Sequence, residues 1–241
     1  MSKPAMLVVG AGDATGGAIA RRFAREGYVA CVSRRKQESL ADLVDQIEAE
    51  GGEASAFGSD ARDEGQAVAL VDTIEQEVGP LEVLVFNIGA NVNFPIRETT
   101  ARVYRKVWEM AAFAGFLAGR EAARVMVPRG RGTIIFTGAT ASLRGGRGFS
   151  AFAGAKFALR ALAQSMAREL GPEGIHVAHS IIDGAIDTAF IRDNFPQRYA
   201  LKDQDGILDP EHIADAYWML HQQPRDTWTH ELDLRPWMET F

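Results

Sequence analysis

The segment Phe152-Ala153-Gly154-Ala155-Lys156 places a lysine one helical turn after an aromatic ring. A lysine in that place can assist proton transfer, because its positive charge lowers the pKa of a neighbouring acid. Phe152 has no hydroxyl and therefore has no proton to give or to take. Lys156 is therefore a candidate for a chemical role, but Phe152 cannot be the acid that it assists.

A glycine-rich turn near the N-terminus, Gly10-Ala11-Gly12-Asp13-Ala14-Thr15-Gly16, points to a second kind of chemistry. It follows the short apolar run Ala5 to Val9 and precedes a helical pattern. Glycines at such a turn let the backbone bend tightly and bring amide groups against a pyrophosphate at the helix N-terminus. Tight turns also use glycine for steric reasons alone, but this placement between strand and helix favours nucleotide binding.

Apolar runs of strand length alternate with helical patterns along almost the whole chain. The predicted strands are Ala5 to Val9, Tyr28 to Ser33, Ala54 to Phe57, Leu81 to Asn87, Thr133 to Thr137, His176 to Ile182 and Glu231 to Leu234. Helices are predicted over Thr100 to Met126, Ser150 to Leu170 and Glu211 to Gln222, among others. This alternation predicts a single α/β domain over residues 1–241, doubly wound, with a parallel sheet of about seven strands and helices on both faces.

These features resemble the short-chain dehydrogenase/reductase family over most of the chain. The family usually reads T-G-x-x-x-G-x-G at the first turn; here Gly10 and Gly16 match, while Val9 and Ala14 replace the threonine and the middle glycine. The fourth strand ends in Phe86-Asn87-Ile88-Gly89, where the family usually has N-N-A-G, so the second asparagine and the glycine are kept. The resemblance implies a Rossmann-type fold that binds a nicotinamide dinucleotide.

The end of the second strand, Ser33-Arg34-Arg35, bears on which dinucleotide binds. An acidic residue there favours NAD, whereas an arginine accommodates the 2′-phosphate of NADP. Because Ser33 stands at the acidic position, Arg34 predicts NADP(H) rather than NAD(H), with a solvated basic pair opening a loop as the alternative. The resemblance also places Asp60 and Ala61 near the adenine, with an ordinary loop cap as the alternative for Asp60.

At the other end of the cofactor, the resemblance covers the segment Asp183-Gly184-Ala185-Ile186-Asp187-Thr188, where the family usually begins with Pro-Gly. Thr188 matches a threonine that contacts the nicotinamide end, and Lys156 matches a lysine that hydrogen-bonds the nicotinamide ribose. An exposed helix lysine is the alternative for Lys156. Two departures are expected to weaken binding, because the Ala14 methyl group would crowd the phosphates and Asp13 would add negative charge near them.

The family's ketone–alcohol chemistry uses a tyrosine, a lysine, a serine and an asparagine, while the cofactor carries the hydride. The resemblance puts Phe152, Lys156, Ala139 and Ala111 at these four positions, so only the lysine remains. Loss of a positioned acid–base group costs about 10²–10⁴-fold in rate. Three apolar replacements indicate a coherent conversion of the pocket.

Other groups could supply the proton. Thr140 follows Ala139, and a loop shift of one residue would bring its hydroxyl to the serine position. His179 titrates near neutrality and lies near the functional edge of the sheet, which makes it the strongest substitute acid, although a histidine in a buried strand is more often structural. The segment Phe190 to Leu208 has the composition of a substrate lid and contains Tyr199.

Composition restricts the partners. The net charge of -6 and the absence of a basic run argue against nucleic acid. Apolar stretches are too short to span a membrane, and the single cysteine, Cys31, excludes a disulfide framework and predicts a cytoplasmic protein. The histidines lack metal-ligand spacing. The apolar stretch Trp228 to Phe241 predicts a subunit contact, and the resemblance implies a homodimer or homotetramer.

Two functions therefore stand side by side. The first is an NADP(H)-binding oxidoreductase with a degenerate tetrad, which acts, if at all, by hydride transfer on an unknown carbonyl, alcohol or enone-type substrate. The second is a catalytically inactive dinucleotide-binding or assembly protein on the same fold. A non-redox lyase or isomerase stays open as a third reading, because fold does not fix function.

Overall fold

The apolar runs of the sequence form the strands of one parallel sheet in the computed structural model, which describes residues 2–240. Within these residues the strands are β1 (Ala5–Val9), β2 (Val29–Arg34), β3 (Glu53–Gly58), β4 (Leu81–Phe86), β5 (Gly132–Thr137), β6 (Ile175–Ile182) and β7 (Glu231–Leu234). The strand order is β3-β2-β1-β4-β5-β6-β7. The predicted doubly wound parallel sheet of seven strands is confirmed.

Helices cover both faces of this sheet, as predicted. They are α1 (Thr15–Arg25), α2 (Ala41–Ala49), α3 (Glu64–Thr73), α4 (Ala101–Trp108), α5 (Ala114–Met126), α6 (Ser150–Leu170), α7 (Ala189–Asn194), α8 (Pro196–Tyr199) and α9 (Pro210–His221). One core joins α3, α5 and α6 to the sheet around Phe86 and Leu159. The other joins α1, α2 and α9 around Phe23 and Tyr217. Of the helices in residues 2–240, none is both long and apolar enough to cross a bilayer.

Two segments differ from the sequence prediction. The helix predicted over Thr100 to Met126 is divided, because a π-helical turn, Glu109–Phe113, separates α4 from α5. The lid segment contains the short helices α7 and α8, of which α7 begins where the Thr188 hydroxyl accepts from the Ile191 amide at 3.1 Å. Hydrophobic periodicity does not reveal either feature, since a π turn keeps an apolar stretch apolar and a one-turn helix is too short to show a period.

The point where the strand order reverses lies between β1 and β4, which are neighbours in the sheet. β1 leads into the glycine-rich turn and then α1, while β4 leads into Asn87. In open parallel sheets, ligands bind outside the carboxyl ends of the strands at such a point. The topology therefore directs attention to the loops that follow β1, β4, β5 and β6.

Candidate active site

A cavity of about 1060 Å³ opens at the carboxyl ends of these four strands. Of the residues singled out in the sequence, its wall contains Gly10, Gly12, Asp13, Ala14, Thr15, Gly16, Arg34, Asn87, Gly89, Ala139, Thr140, Phe152, Lys156, Gly184 and Ile186. Segments separated by more than a hundred residues in the chain thus share one space. Parts of the predicted cofactor and catalytic regions therefore line one cavity.

The glycine-rich turn is held tightly between two strand ends. Gly10 has φ +88°, a backbone conformation that L side chains rarely adopt. Its amide donates to the Ser33 carbonyl at 3.0 Å, and the Asn87 side chain donates to the Gly10 carbonyl at 3.2 Å. A Cβ on Gly16 would lie 2.9 Å from that same carbonyl oxygen. The turn therefore admits only glycine at these positions.

The N-terminus of α1 faces this turn without a side-chain cap. Ala14 is the N-cap residue, it makes no capping hydrogen bond, and the first turn of α1 contains no acidic side chain. Uncapped amide groups and the positive end of a helix dipole suit an anion. The Ala14 backbone has φ -108°, so this position does not adopt the left-handed conformation that favours glycine. The cradle fits the diphosphate of a dinucleotide, although Ala14 and Asp13 both stand in the cavity wall as expected.

Arg34, the last residue of β2, lies over the same turn. A Cβ on Gly12 would be 3.8 Å from the Arg34 guanidinium carbon. Within residues 2–240, Arg34 forms no ion pair, whereas many other arginines do, so its charge is available at the cavity. The group fits an additional phosphate next to the diphosphate cradle.

Asp60 lies outside the cavity wall and forms a local link to Arg62. Its carboxylate accepts hydrogen bonds from the Arg62 backbone and guanidinium, which lower its pKa to about 2. This geometry matches the loop cap that was the alternative interpretation of Asp60. The other predicted residues that lie outside the cavity wall are Ser33, Arg35, Ala61, Ala111, His179, Asp183 and Thr188.

Lys156 lies at the base of the cavity and is 2% exposed. Its ammonium donates to the carbonyls of Ile88 at 3.1 Å and Thr137 at 2.8 Å, and so joins the ends of β4 and β5. Burial lowers its pKa to about 8. Two of its three donors are occupied, which leaves one for a ligand. The alternative interpretation of Lys156 as an exposed helix lysine is wrong.

The three lost tetrad positions meet in one apolar cluster. Phe152 and Ala111 are buried in it together with Val107, and Ala139 packs against it. The Lys156 ammonium lies 5.9 Å from the centre of the Phe152 ring, within the range of a cation–π contact. An aromatic ring is thus kept beside the lysine while its hydroxyl is gone.

His179 lies beneath the cavity rather than in its wall. It is completely buried, and a Cβ on Gly138 would lie 2.4 Å from His179 Nε2, so the backbone of Gly138 screens the ring. Its Nδ1 is 3.2 Å from a Glu231 carboxylate oxygen. Burial lowers the pKa of His179 to about 4, which leaves the ring neutral near pH 7. This geometry opposes the predicted role as substitute acid.

The far end of the cavity contains residues that the sequence did not single out. They are Asn91, Asn93, Arg144, Phe149, Phe190, Phe195, Arg198 and Glu239. Several come from the lid segment, whose composition was the available indication. The aromatic members make this end of the cavity apolar, and Arg144 and Arg198 place positive charge at its rim.

Similarity to known proteins agrees with this geometry. Residues 4–198 match the family model described as short chain dehydrogenase. The chain belongs to the short-chain dehydrogenase family. Gluconate 5-dehydrogenase from Gluconobacter oxydans is 30% identical over 222 residues, which are 92% of this chain and 80% of that protein. An uncharacterized oxidoreductase from Bacillus subtilis is 32% identical over 192 residues, 80% of this chain and 74% of its own.

Solved structures of this family superpose on the short-chain dehydrogenase described here. A short-chain dehydrogenase from Rhodopseudomonas palustris is 52% identical, with a TM-score of 0.84 over 97% of this chain and 99% of that one. A metagenomic short-chain oxidoreductase in complex with NADP is 22% identical, with a TM-score of 0.79 over 97% of both chains. The second likeness concerns the fold alone.

Proposed function

We propose that this short-chain dehydrogenase is an NADP(H)-dependent oxidoreductase with a degenerate tetrad. It transfers hydride to or from a carbonyl, alcohol or enone-type substrate without the usual tyrosine and serine. The observation that carries the proposal is Lys156, buried at the base of a cavity that is continuous with the glycine cradle. A buried lysine without a carboxylate partner is costly, and a ligand at the cavity gives it a reason to be there.

In this proposal each part of the cavity has a task toward the cofactor. The amides around Gly10 to Gly16 hold the diphosphate, Arg34 holds the 2′-phosphate, and Lys156 hydrogen-bonds the nicotinamide ribose. When bound, the nicotinamide supplies or accepts the hydride. Phe149 and Phe152 form an apolar wall at the reacting end and exclude water from it.

The Arg34→Gln variant should separate the two dinucleotides. Charged hydrogen bonds contribute about 1.5–3 kcal/mol, so the Kd for NADPH should rise by about 10-fold to 100-fold while that for NADH stays unchanged. Parallel calorimetric titrations with both cofactors measure this. The matched control is Arg35→Gln, because Arg35 neighbours Arg34 but lies outside the cavity wall. Equal losses for both cofactors, or no tight binding of NADPH by the parent protein, would contradict the NADP(H) assignment.

A second candidate function, an inactive dinucleotide-binding or assembly protein, is favoured by the apolar cluster around Ala111, Ala139 and Phe152. The double substitution Ala139→Ser with Phe152→Tyr distinguishes the two candidates. If turnover of an alcohol or ketone appears only in the double variant, the scaffold is intact and the parent chain has lost its chemistry. Turnover by the parent protein supports the oxidoreductase.

We further propose a cytoplasmic homodimer or homotetramer. The rings of Trp108, Phe113 and Phe116 stack in a row at 6.1 and 6.2 Å, and Phe157 is also exposed. The exposed rings of Trp108, Phe116 and Phe157 suit a subunit contact. Cys31 is buried with its pKa raised to about 12, so it neither forms a disulfide nor reacts readily. Light scattering of the purified protein tests the oligomeric state.

A further inference from the structure

Thr140 and Asp183 form a hydrogen-bonded pair at the carboxyl edge of the sheet. The Thr140 hydroxyl donates to Asp183 Oδ1. β5 and β6 are paired in parallel with Thr137 opposite Ser180, and the two residues of the pair each follow three positions later. The register of the two strands therefore brings together two side chains that are 43 residues apart in the chain.

Asp183 is buried and its backbone is hydrogen-bonded, but only one of its two carboxylate oxygens has a partner among the described residues. It is 1% exposed, and its amide donates to the Leu234 carbonyl at 2.8 Å. Its second carboxylate oxygen, Oδ2, is buried and has no hydrogen-bond partner within residues 2–240. Buried polar atoms are nearly always paired, and each exception asks for an explanation. A purely structural link would satisfy both oxygens, whereas a carboxyl group with a spare oxygen can take and return a proton.

Thr140 connects this carboxyl group to the cavity. It stands in the cavity wall next to Ala139, the position of the missing serine, and in the same cavity as Lys156. Asp183 is not part of the wall, and the hydrogen bond from the Thr140 hydroxyl links it to a residue of the wall. The Thr137 carbonyl that accepts from Lys156 lies three residues before Thr140, at the end of β5. A substrate oxygen bound near Ala139, the serine position, would therefore lie near both Thr140 and Lys156.

We propose that Thr140 and Asp183 are the proton-transfer pair that replaces the tyrosine and serine of the family; this rests on the proposed function. In alcohol oxidation, the substrate O–H bond breaks and its proton joins Thr140 Oγ1, while the Thr140 hydroxyl proton passes to the Asp183 carboxylate. The oxidised nicotinamide, which the glycine cradle and Lys156 would hold, would accept the C–H hydrogen with its electron pair as hydride while the C=O bond forms. Reduction of a carbonyl is the reverse. Thr140 is the catalytic residue, and Asp183 acts through it.

The test compares Thr140→Val, which keeps the shape, with Thr140→Ser, which keeps the hydroxyl. Both are measured beside Asp183→Asn and the parent protein with NADP⁺ and a panel of secondary alcohols that includes cyclohexanol and 1-phenylethanol. We expect Thr140→Val and Asp183→Asn to lose about 10²–10⁴-fold in rate and Thr140→Ser to stay within about 10-fold of the parent. The Kd for NADP⁺ and the Tm of Thr140→Val should match the parent, and the parent rate should show a solvent deuterium isotope effect.

Each outcome decides one question. Parent-level turnover by Thr140→Val, or a loss that Thr140→Ser does not rescue, overturns the pair. A parent protein that binds NADP⁺ tightly but oxidises no alcohol of the panel overturns both the pair and the oxidoreductase function, and favours the inactive dinucleotide-binding protein. A parent protein that fails to bind NADP⁺ overturns the proposed function instead. A lower Tm for Thr140→Val than for the parent, together with an unchanged solvent deuterium isotope effect, identifies the pair as a structural link and overturns the proposal.

Discussion

A Gly17→Ala variant is expected to lose dinucleotide binding and stability together. Gly17 is buried in the first turn of α1, and a Cβ there would lie 2.2 Å from the Gly12 carbonyl oxygen and 3.2 Å from Leu43 Cδ1. Because the oxygen belongs to the backbone of the cradle, helix and turn must separate. We expect the Kd for NADPH to rise by at least about 100-fold and the free energy of unfolding to fall by about 1–3 kcal/mol.

Calorimetry and urea unfolding measure these two quantities. The control is Gly145→Ala, because Gly145 lies at the other end of the cavity and no atom lies within 4 Å of its added Cβ. That variant should keep the parent's free energy of unfolding. Unchanged cofactor binding in Gly17→Ala would mean that the cradle is not the phosphate site, whatever happens to stability.

Stability should fall steeply when the pH drops below about 6.5, since buried histidines are held neutral. Burial lowers the pKa of His179 and of His221 to about 4, and it lowers that of His176 as well. The unfolded chain takes up a proton at His179 and at His221 below about pH 6.5, whereas the folded chain does so only near pH 4, so the unfolded state gains protons first. Between about pH 7.5 and pH 5, His179 and His221 should each remove about 2 kcal/mol of stability.

His221 offers a clean variant for this pH dependence. Its ring nitrogens lie 2.7 Å from the Tyr28 hydroxyl and 2.9 Å from the Thr133 hydroxyl, an arrangement that a neutral ring satisfies. His221→Gln should reduce the difference in unfolding free energy between the two pH values by about 2 kcal/mol, while the exposed His212→Gln should leave it unchanged. Urea unfolding at each pH provides the numbers. The assignment is wrong if both variants retain the full pH dependence of the parent.

The residues of the cofactor cradle can be predicted from the local sequence. Gly10, Gly16 and Asn87 stand at positions where the family usually has the same residues. The two glycines can be recognised from the sequence because a tight turn needs glycine at particular backbone angles. Arg34 follows from its place at a strand end. Such features depend on neighbours along the chain, so the sequence was enough to predict them, and all four residues line the cavity.

The burial of His179 and Lys156, by contrast, could not be predicted from the local sequence. Sequence places His179 near an edge where ligands bind, yet the fold sets the Gly138 backbone and Glu231 around it. An exposed helix lysine was the alternative interpretation of Lys156 from the sequence, and the packing of α6 against the ends of β4 and β5 buries it. Burial depends on what other segments contribute, which a single stretch of chain does not contain.

By itself the sequence determined the alternation of strands and helices and the glycine cradle. It also determined that neither Phe152 nor Ala139 has a side-chain hydroxyl. Those properties belong to residue types and to their periodicity, which survive without a fold. Tertiary structure alone decided that Thr140 meets Asp183, because that contact depends on the register between β5 and β6. A shift of one residue in a parallel pair would turn these side chains to opposite faces and separate them.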